Sequence, residues 1–230
     1  MTITAWSSTS IRSSQTSTAA DTQSASASER LDAIGTGLQR TGNKIQTQLD
    51  TATASLSSLG KFKAAVVQAQ SAAKAVAELK DTVTVEDMKA AIDNLVQKYN
   101  AMVSASEAVT MDNSGASRIS KALVRTMGAD ISKLSSLRSL GLSKGADGRY
   151  TLTGSKLVSA IQSAPAGVRA TLQKLGSLVE KATGKELADD GGITQVNTAL
   201  LNKTSLLQTQ KSALQKALQQ YTSVSTTESS

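Results

Sequence analysis

The side chains that most often carry proton transfer, nucleophilic attack or metal binding are missing or scattered in this chain. It has no His and no Cys. A thiolate nucleophile, a disulfide, a zinc ribbon and a Ser–His–Asp triad are therefore excluded, and a general base would have to be a carboxylate, Lys or Tyr. Asp189-Asp190-Gly191-Gly192 offers paired carboxylates, but without the ligand spacing of a calcium-binding loop it reads as a connection. Gly35-Thr36-Gly37 is not followed by Gly-Lys-Ser/Thr, so it does not make a phosphate loop. Asp147-Gly148 is turn chemistry. Met88, Met102, Met111 and Met127 read as core filling before an adaptable binding surface. Trp6 reads as an idle tail residue, with anchoring to a partner pocket as the alternative. No two catalytic candidates are brought together by pattern, so the chain reads as a non-enzyme with no cofactor and no metal.

The remaining chemistry is charge and apolar surface. The net charge is +7, and residues 112–185 carry twelve Lys/Arg against four Asp/Glu, so the positive excess lies in the middle. Arg118, Lys121, Arg125, Lys133, Arg138 and Arg149 would suit nucleic acid or an acidic partner; the plainer reading is a solvated face. Aromatics are 2 % of the chain, which leaves little to stack on bases, and no helix-turn-helix or zinc module is legible; nucleic acid is the disfavoured reading. No apolar run approaches the roughly 20 residues of a membrane span. Residues 1–28 lack an apolar stretch followed by a small-residue cleavage site, which argues against a Sec signal peptide.

The elements follow from periodicity. Residues 1–30 are Ser/Thr/Ala-rich and read as a disordered arm, as does 225–230 at the other end. Leu31, Leu38, Ile45, Ala52, Leu59, Val66 and Ala73 recur every seven residues, with Leu49, Leu56 and Phe62 in a second row; this predicts a helical leg over 31–82. Gly35, Gly37 and Gly42 weaken its start, which places the firm helix at about 44–80. Thr84 is a predicted N-cap with Asp87 as its capping-box partner. The helix it opens carries Met88, Ile92, Leu95, Tyr99 and Met102 on one face and fades near Met111, where Asp112–Gly115 is turn chemistry.

A further helix is predicted over 117–140, then a hairpin over 140–152 built from Leu140-Gly141-Leu142 and Tyr150-Thr151-Leu152. Next come a short helix capped by Ser155, another opened by Pro165, a break at Gly184 and a loop over 189–192. Ile193, Leu200, Leu207, Leu214 and Tyr221 fall seven apart and predict a coiled-coil helix over 189–224. Lys203 and Gln210 interrupt its second row as register devices or as solvent-exposed positions. The fold class is therefore mainly α. Long N- and C-terminal helices pack as a coiled-coil-like bundle around a helical middle, 83–188, with one small hairpin. The seam of Leu38, Ile45, Leu49, Leu59, Ile193, Leu200, Leu207, Leu214 and Tyr221 serves either an intramolecular core or self-association.

The order of these motifs resembles the flagellar filament cap family (hook-associated protein 2). Ile92 to Tyr99-Asn100 is similar to that family's helix ending in Tyr-Asn, and Ser117–Met127 to the short helix that follows. Leu140-Gly141-Leu142 with Asp147-Gly148-Arg149-Tyr150-Thr151-Leu152 is similar to its Leu-Gly-Ile … Asp-Gly-Thr-Leu hairpin. Lys156-Leu157 through Ile161, Pro165 and Val168 is similar to the segment after it. The likeness covers about residues 83–221, and Ile34-Gly35-Thr36-Gly37-Leu38 resembles the family's opening Gly-Ser-Gly-Leu. Family members carry large β-rich domains where this chain has only about residues 81–85. The resemblance implies a short cap of legs and stem, secreted through the flagellar type III route and assembled as a homo-oligomer at the distal end of the filament. Its partners would be flagellin or hook–filament junction proteins, and a flagellar export chaperone. A coiled-coil component of another type III system and a basic nucleic-acid-binding protein are the alternative readings.

Overall fold

Thr84 shows how closely local chemistry sets the helix boundaries. Its backbone is extended, and its hydroxyl oxygen accepts the Asp87 N–H at 3.0 Å while its O–H donates to the Asp87 carboxylate at 2.8 Å. That arrangement satisfies a first-turn amide and places an acid at the positive end of the helix. The helix so opened, α2, runs Val85–Ala108.

The computed structural model describes residues 15–109 and 115–228, with side chains described for 29–109 and 115–224. Helix α1 is Gln15–Ala77, α2 is followed by α3 at Ala116–Ser132, and a 3₁₀ turn covers Ser135–Leu137. Strands β1 (Leu142–Lys144) and β2 (Tyr150–Leu152) pair antiparallel, Leu142 opposite Leu152 and Lys144 opposite Tyr150. Helices α4 (Gly154–Ser163), α5 (Pro165–Leu187) and α6 (Gly192–Glu228) complete the order. The chain is mainly α, as its periodicity predicts, with one small hairpin among the described residues.

The chain divides into two compact units. One comprises residues up to Gln48 and from Leu207 onward; the other is Leu49–Leu206. The larger unit holds a continuous apolar core in which Leu59, Phe62, Met88, Ile92, Met102, Met127, Leu157, Leu172, Ile193 and Leu200 are almost entirely buried. Phe62 is the chain's single Phe, so most of this interior is Leu, Ile, Val, Met and Ala, and its helices must come close to exclude space. Gly176 on α5 marks one such close approach. A methyl group there would lie 2.5 Å from the Ala73 carbonyl oxygen and 2.5 Å from the Ala77 nitrogen of α1.

Several boundaries differ from the sequence reading. Helix α1 begins at Gln15, inside the arm read as disordered; its Ala, Gln and Ser residues lack an apolar stripe, yet several are good helix formers and continue the helix that follows. Gly35, Gly37 and Gly42 lie within that helix. Helix α6 likewise continues into the expected tail as far as Glu228. Helix α3 stops at Ser132 rather than Leu140, and Lys133 and Leu134 N–H groups bond back to Asp130 and Ile131 carbonyls in a tightened last turn. Thr153, not Ser155, precedes α4, and its side chain makes no cap bond. Gly184 is helical, and the break comes only after Leu187. Pro165 opens α5 at its first turn as predicted, where the missing N–H has no helical partner to lose. Trp6, Met111 and the Asp112–Ser114 turn lie outside the described residues.

The Gly176 contact fixes the sign of a substitution. Alanine is favoured over glycine in a helix by about 1 kcal/mol, yet Gly176→Ala forces a methyl group into backbone and should destabilise by about 1–3 kcal/mol. Gly60, exposed in α1 with open space around it, is the control. Gly60→Ala should stabilise by up to about 1 kcal/mol. Urea unfolding of both variants, followed by circular dichroism, measures the two signs.

Candidate functional site

Two arrangements bear on function, one in each unit. In the smaller unit the C-terminal half of the heptad seam meets the start of the N-terminal leg. A methyl group at Gly35 would sit 3.0 Å from the Tyr221 ring, and one at Gly42 would sit 3.1 Å from a Leu214 methyl. Lys211 Nζ donates to Gln46 Oε1 at 2.7 Å. As the numbers rise on α1 they fall on α6, so the pair is antiparallel. The two glycines are seven residues apart, as are Leu214 and Tyr221, and each glycine receives one large side chain. Gly35 and Gly42, read from sequence only as weak helix positions, are thus the hollows into which the predicted seam fits. Their spacing was the signal that would have found them.

The seam is unevenly covered. Ile45 and Leu207 are buried, while Leu31, Leu38, Leu214 and Tyr221 are half-buried. Ile34 is 52 % exposed and Val224 is 50 % exposed. In the larger unit, Leu59, Ile193 and Leu200 are buried and Leu49 is half-buried. The seam therefore has an intramolecular role in both units and keeps apolar surface uncovered in the smaller one. Lys203 and Gln210 are exposed, which favours the solvated reading of both.

In the larger unit the residues of the family-like motif converge. Asn100 on α2 accepts the Tyr150 N–H on its Oδ1 at 2.9 Å and donates from Nδ2 to the Tyr150 carbonyl at 2.8 Å. Its amide thus takes the place of a neighbouring strand along β2. Tyr99, one residue earlier, meets Tyr150 edge-to-face with ring centroids 5.2 Å apart, a favourable geometry for two aromatic quadrupoles. One and two turns further along α2, Ser104 and Glu107 hold Arg149: its guanidinium donates to Ser104 Oγ at 2.9 Å and to the Glu107 carboxylate at 2.7 Å. The same guanidinium reaches Asp147 at 3.2 Å. The Arg149 N–H bonds Asp147 Oδ1 at 3.1 Å. That N–H first, and the guanidinium second, hold the exposed Asp147 carboxyl below the ordinary carboxylate range.

The turn is wider than the two-residue form suggested by Asp-Gly alone. The Gly148 N–H bonds to Gly145 O, and the Gly145 N–H to Arg149 O. Gly148 supplies the positive φ, 81°. Gly141 is fixed more severely. Its φ is 86°, and a methyl group there would lie 2.7 Å from the Thr153 carbonyl oxygen. Leu140, Leu142 and Leu157 are buried and Leu152 is half-buried. Of the motif residues, Tyr99 and Asn100 tie α2 to Tyr150, and Gly141 and Gly148 supply the positive φ angles of the hairpin's ends. Among the described residues no three Asp or Glu side chains gather as metal ligands, and no helix is long and apolar enough to cross a membrane.

Burial is the chief cause that raises the pKa of both Tyr99 and Tyr150 above the usual phenol value, and the shift is large at Tyr99. The Tyr150 hydroxyl donates to the Gly128 carbonyl at 3.4 Å, a long contact, whereas the Tyr99 hydroxyl is buried without a hydrogen-bond partner.

Compared with known proteins, the chain matches no family model, no curated protein and no solved structure.

Asn100→Ala leaves the Tyr150 N–H and carbonyl without their partner and should destabilise by about 1–3 kcal/mol. Hydrogen exchange should lose protection first at the Tyr150 amide. Tyr99→Phe removes an unbonded buried hydroxyl, so stability at pH 7 should be unchanged or raised by up to about 1 kcal/mol. The pH dependence has a definite sign. Folding raises both tyrosine pKa values, so their contribution is intact below the unfolded value of about 10 and is lost as pH rises beyond it. Urea midpoints measured from pH 8 to 11 should fall above pH 10, and less steeply in Tyr99→Phe.

Proposed function

We propose that this chain is a non-enzymatic structural component of the bacterial flagellum. It would be secreted and cap-like, oligomerising at the distal filament end to retain flagellin and promote its polymerisation. The observation that supports self-association is the partly bare seam of the terminal helix pair. Leu31, Leu38, Leu214 and Tyr221 are half-buried, and Ile34 and Val224 stand about half exposed beside them. A second copy could cover this surface by extending the same small-against-large packing. The flagellar assignment rests on the resemblance described above. Its support is the ordered series of Tyr99-Asn100, Leu140-Gly141-Leu142, Asp147–Leu152 and Leu157, which in this fold fasten one hairpin to one helix. Flagellin or hook–filament junction proteins are the expected neighbours, with an export chaperone before secretion. On this reading the short connection between α1 and α2 stands where the family's outer domains would be, and the cap would consist of legs and stem.

Two measurements test the two halves of the proposal. Deleting the gene should abolish filaments and release unpolymerised flagellin into the medium; normal filaments and motility would rule out the cap role. For the purified full chain, light scattering should give a mass above the 23.8 kDa of one copy. Ile34→Asp with Val224→Asp should return it towards a monomer without lowering helicity.

A further inference from the structure

The two edges of the hairpin are treated differently. The pairing Gly141–Thr153 and Gly145–Arg149 is hydrogen-bonded, and these pairs alternate along an antiparallel ladder. The N–H and C=O groups of Leu142 and Lys144 on β1, and of Tyr150 on β2, therefore point away from the hairpin's own ladder. On β2 the Asn100 amide occupies both outward groups of Tyr150. On β1, Leu142 and Lys144 have no corresponding partner among the described residues.

That open edge borders a groove of about 480 Å³ between β1 and the segment from the end of α3 through the 3₁₀ turn. Leu134, Leu137 and Leu142 give it an apolar floor, and Ser132 a hydroxyl. Arg138 and Lys144 line it as cations, and no acidic side chain lines it. Neither cation is in an ion pair among the described residues, whereas nearby Lys133 is taken up by Asp130 at 2.6 Å. Lys144 and Tyr150 are opposite one another, so the Lys144 side chain lies on the inward face of the hairpin. An added strand would thus bring alternate side chains against Arg138 and Lys144 while its backbone bonds Leu142 and Lys144.

We infer that the open edge of β1 binds an extended acidic segment of another protein by strand addition. Main-chain bonds supply the docking and the two cations select the partner's charge. The inference does not depend on the flagellar reading, because it uses only the hairpin edge and the groove beside it.

The test uses the full chain and a fluorescein-labelled peptide of alternating Glu and Val. Anisotropy should show saturable binding, and the amide resonances of Leu142 and Lys144 should shift on titration. Arg138→Glu with Lys144→Glu, both at exposed positions, should weaken binding about tenfold or more, corresponding to about 1.4 kcal/mol. A peptide methylated on alternate backbone nitrogens should not bind, because it cannot complete the ladder. Equal binding of the methylated peptide would overturn strand addition. Equal or tighter binding of a Lys-for-Glu peptide, or preference for a single-stranded oligonucleotide over the acidic peptide, would overturn the partner assignment. Absence of binding at millimolar peptide would overturn both.

Discussion

The larger unit depends on backbone coming close to backbone. With few rings and many small aliphatic side chains, its helices exclude water only by approaching one another, as at Gly176 against the backbone of Ala73 and Ala77. Dispersion falls off steeply with separation, so a gap here would forfeit contact along α1 and α5 together. The same economy appears in the smaller unit, where Gly35 and Gly42 admit Tyr221 and Leu214. In both places a residue that weakens an isolated helix strengthens a pair of helices. Helix propensity and interhelical packing pull in opposite directions, and packing prevails because the buried contacts exceed the loss of about 1 kcal/mol at each glycine.

Around that frame the hairpin is held by polar groups of well-defined direction. The Asn100 amide satisfies an N–H and a carbonyl that would otherwise be left on a half-buried edge, and such groups cost more when unpaired than they give when bonded. Tyr99 shows the opposite choice. Its ring fills space against Tyr150, and its hydroxyl goes without a partner. Shape complementarity at that position outweighs hydrogen bonding, and the consequence is a phenol that stays neutral well into alkaline solution.

Much of this fold was legible because period and capping act locally. The seven-residue rows on α1 and α6, the Thr84 cap, Pro165 at the start of α5 and the Asp147-Gly148 turn each declare themselves within a short stretch of chain. What was not legible depends on partners distant in sequence. Gly35 and Gly42 read as weak helix positions and Gly184 as a break because nothing local shows what packs against them. The early start of α1 at Gln15 was missed because an Ala/Ser/Gln helix has no apolar stripe to announce it. Asn100 stood out only through a resemblance; its pairing with Tyr150, fifty residues away, has no signature in either segment alone. Arg149 was read as part of a basic surface, yet Glu107 and Asp147 neutralise it in place.

The line of attachment along α2 also has a mechanical meaning. Asn100, Ser104 and Glu107 lie at successive turns of one helix, and together they hold Tyr150 at the start of β2 and Arg149 just before it. A force directed along the axis of α2 would load the three fastenings together and share itself among them. A force lifting the hairpin away from the helix would instead reach them one after another, beginning with the exposed Arg149 end. The joint is therefore stiff to sliding and compliant to peeling, and the direction of an applied load decides whether the hairpin behaves as part of the helix or as a hinged flap upon it.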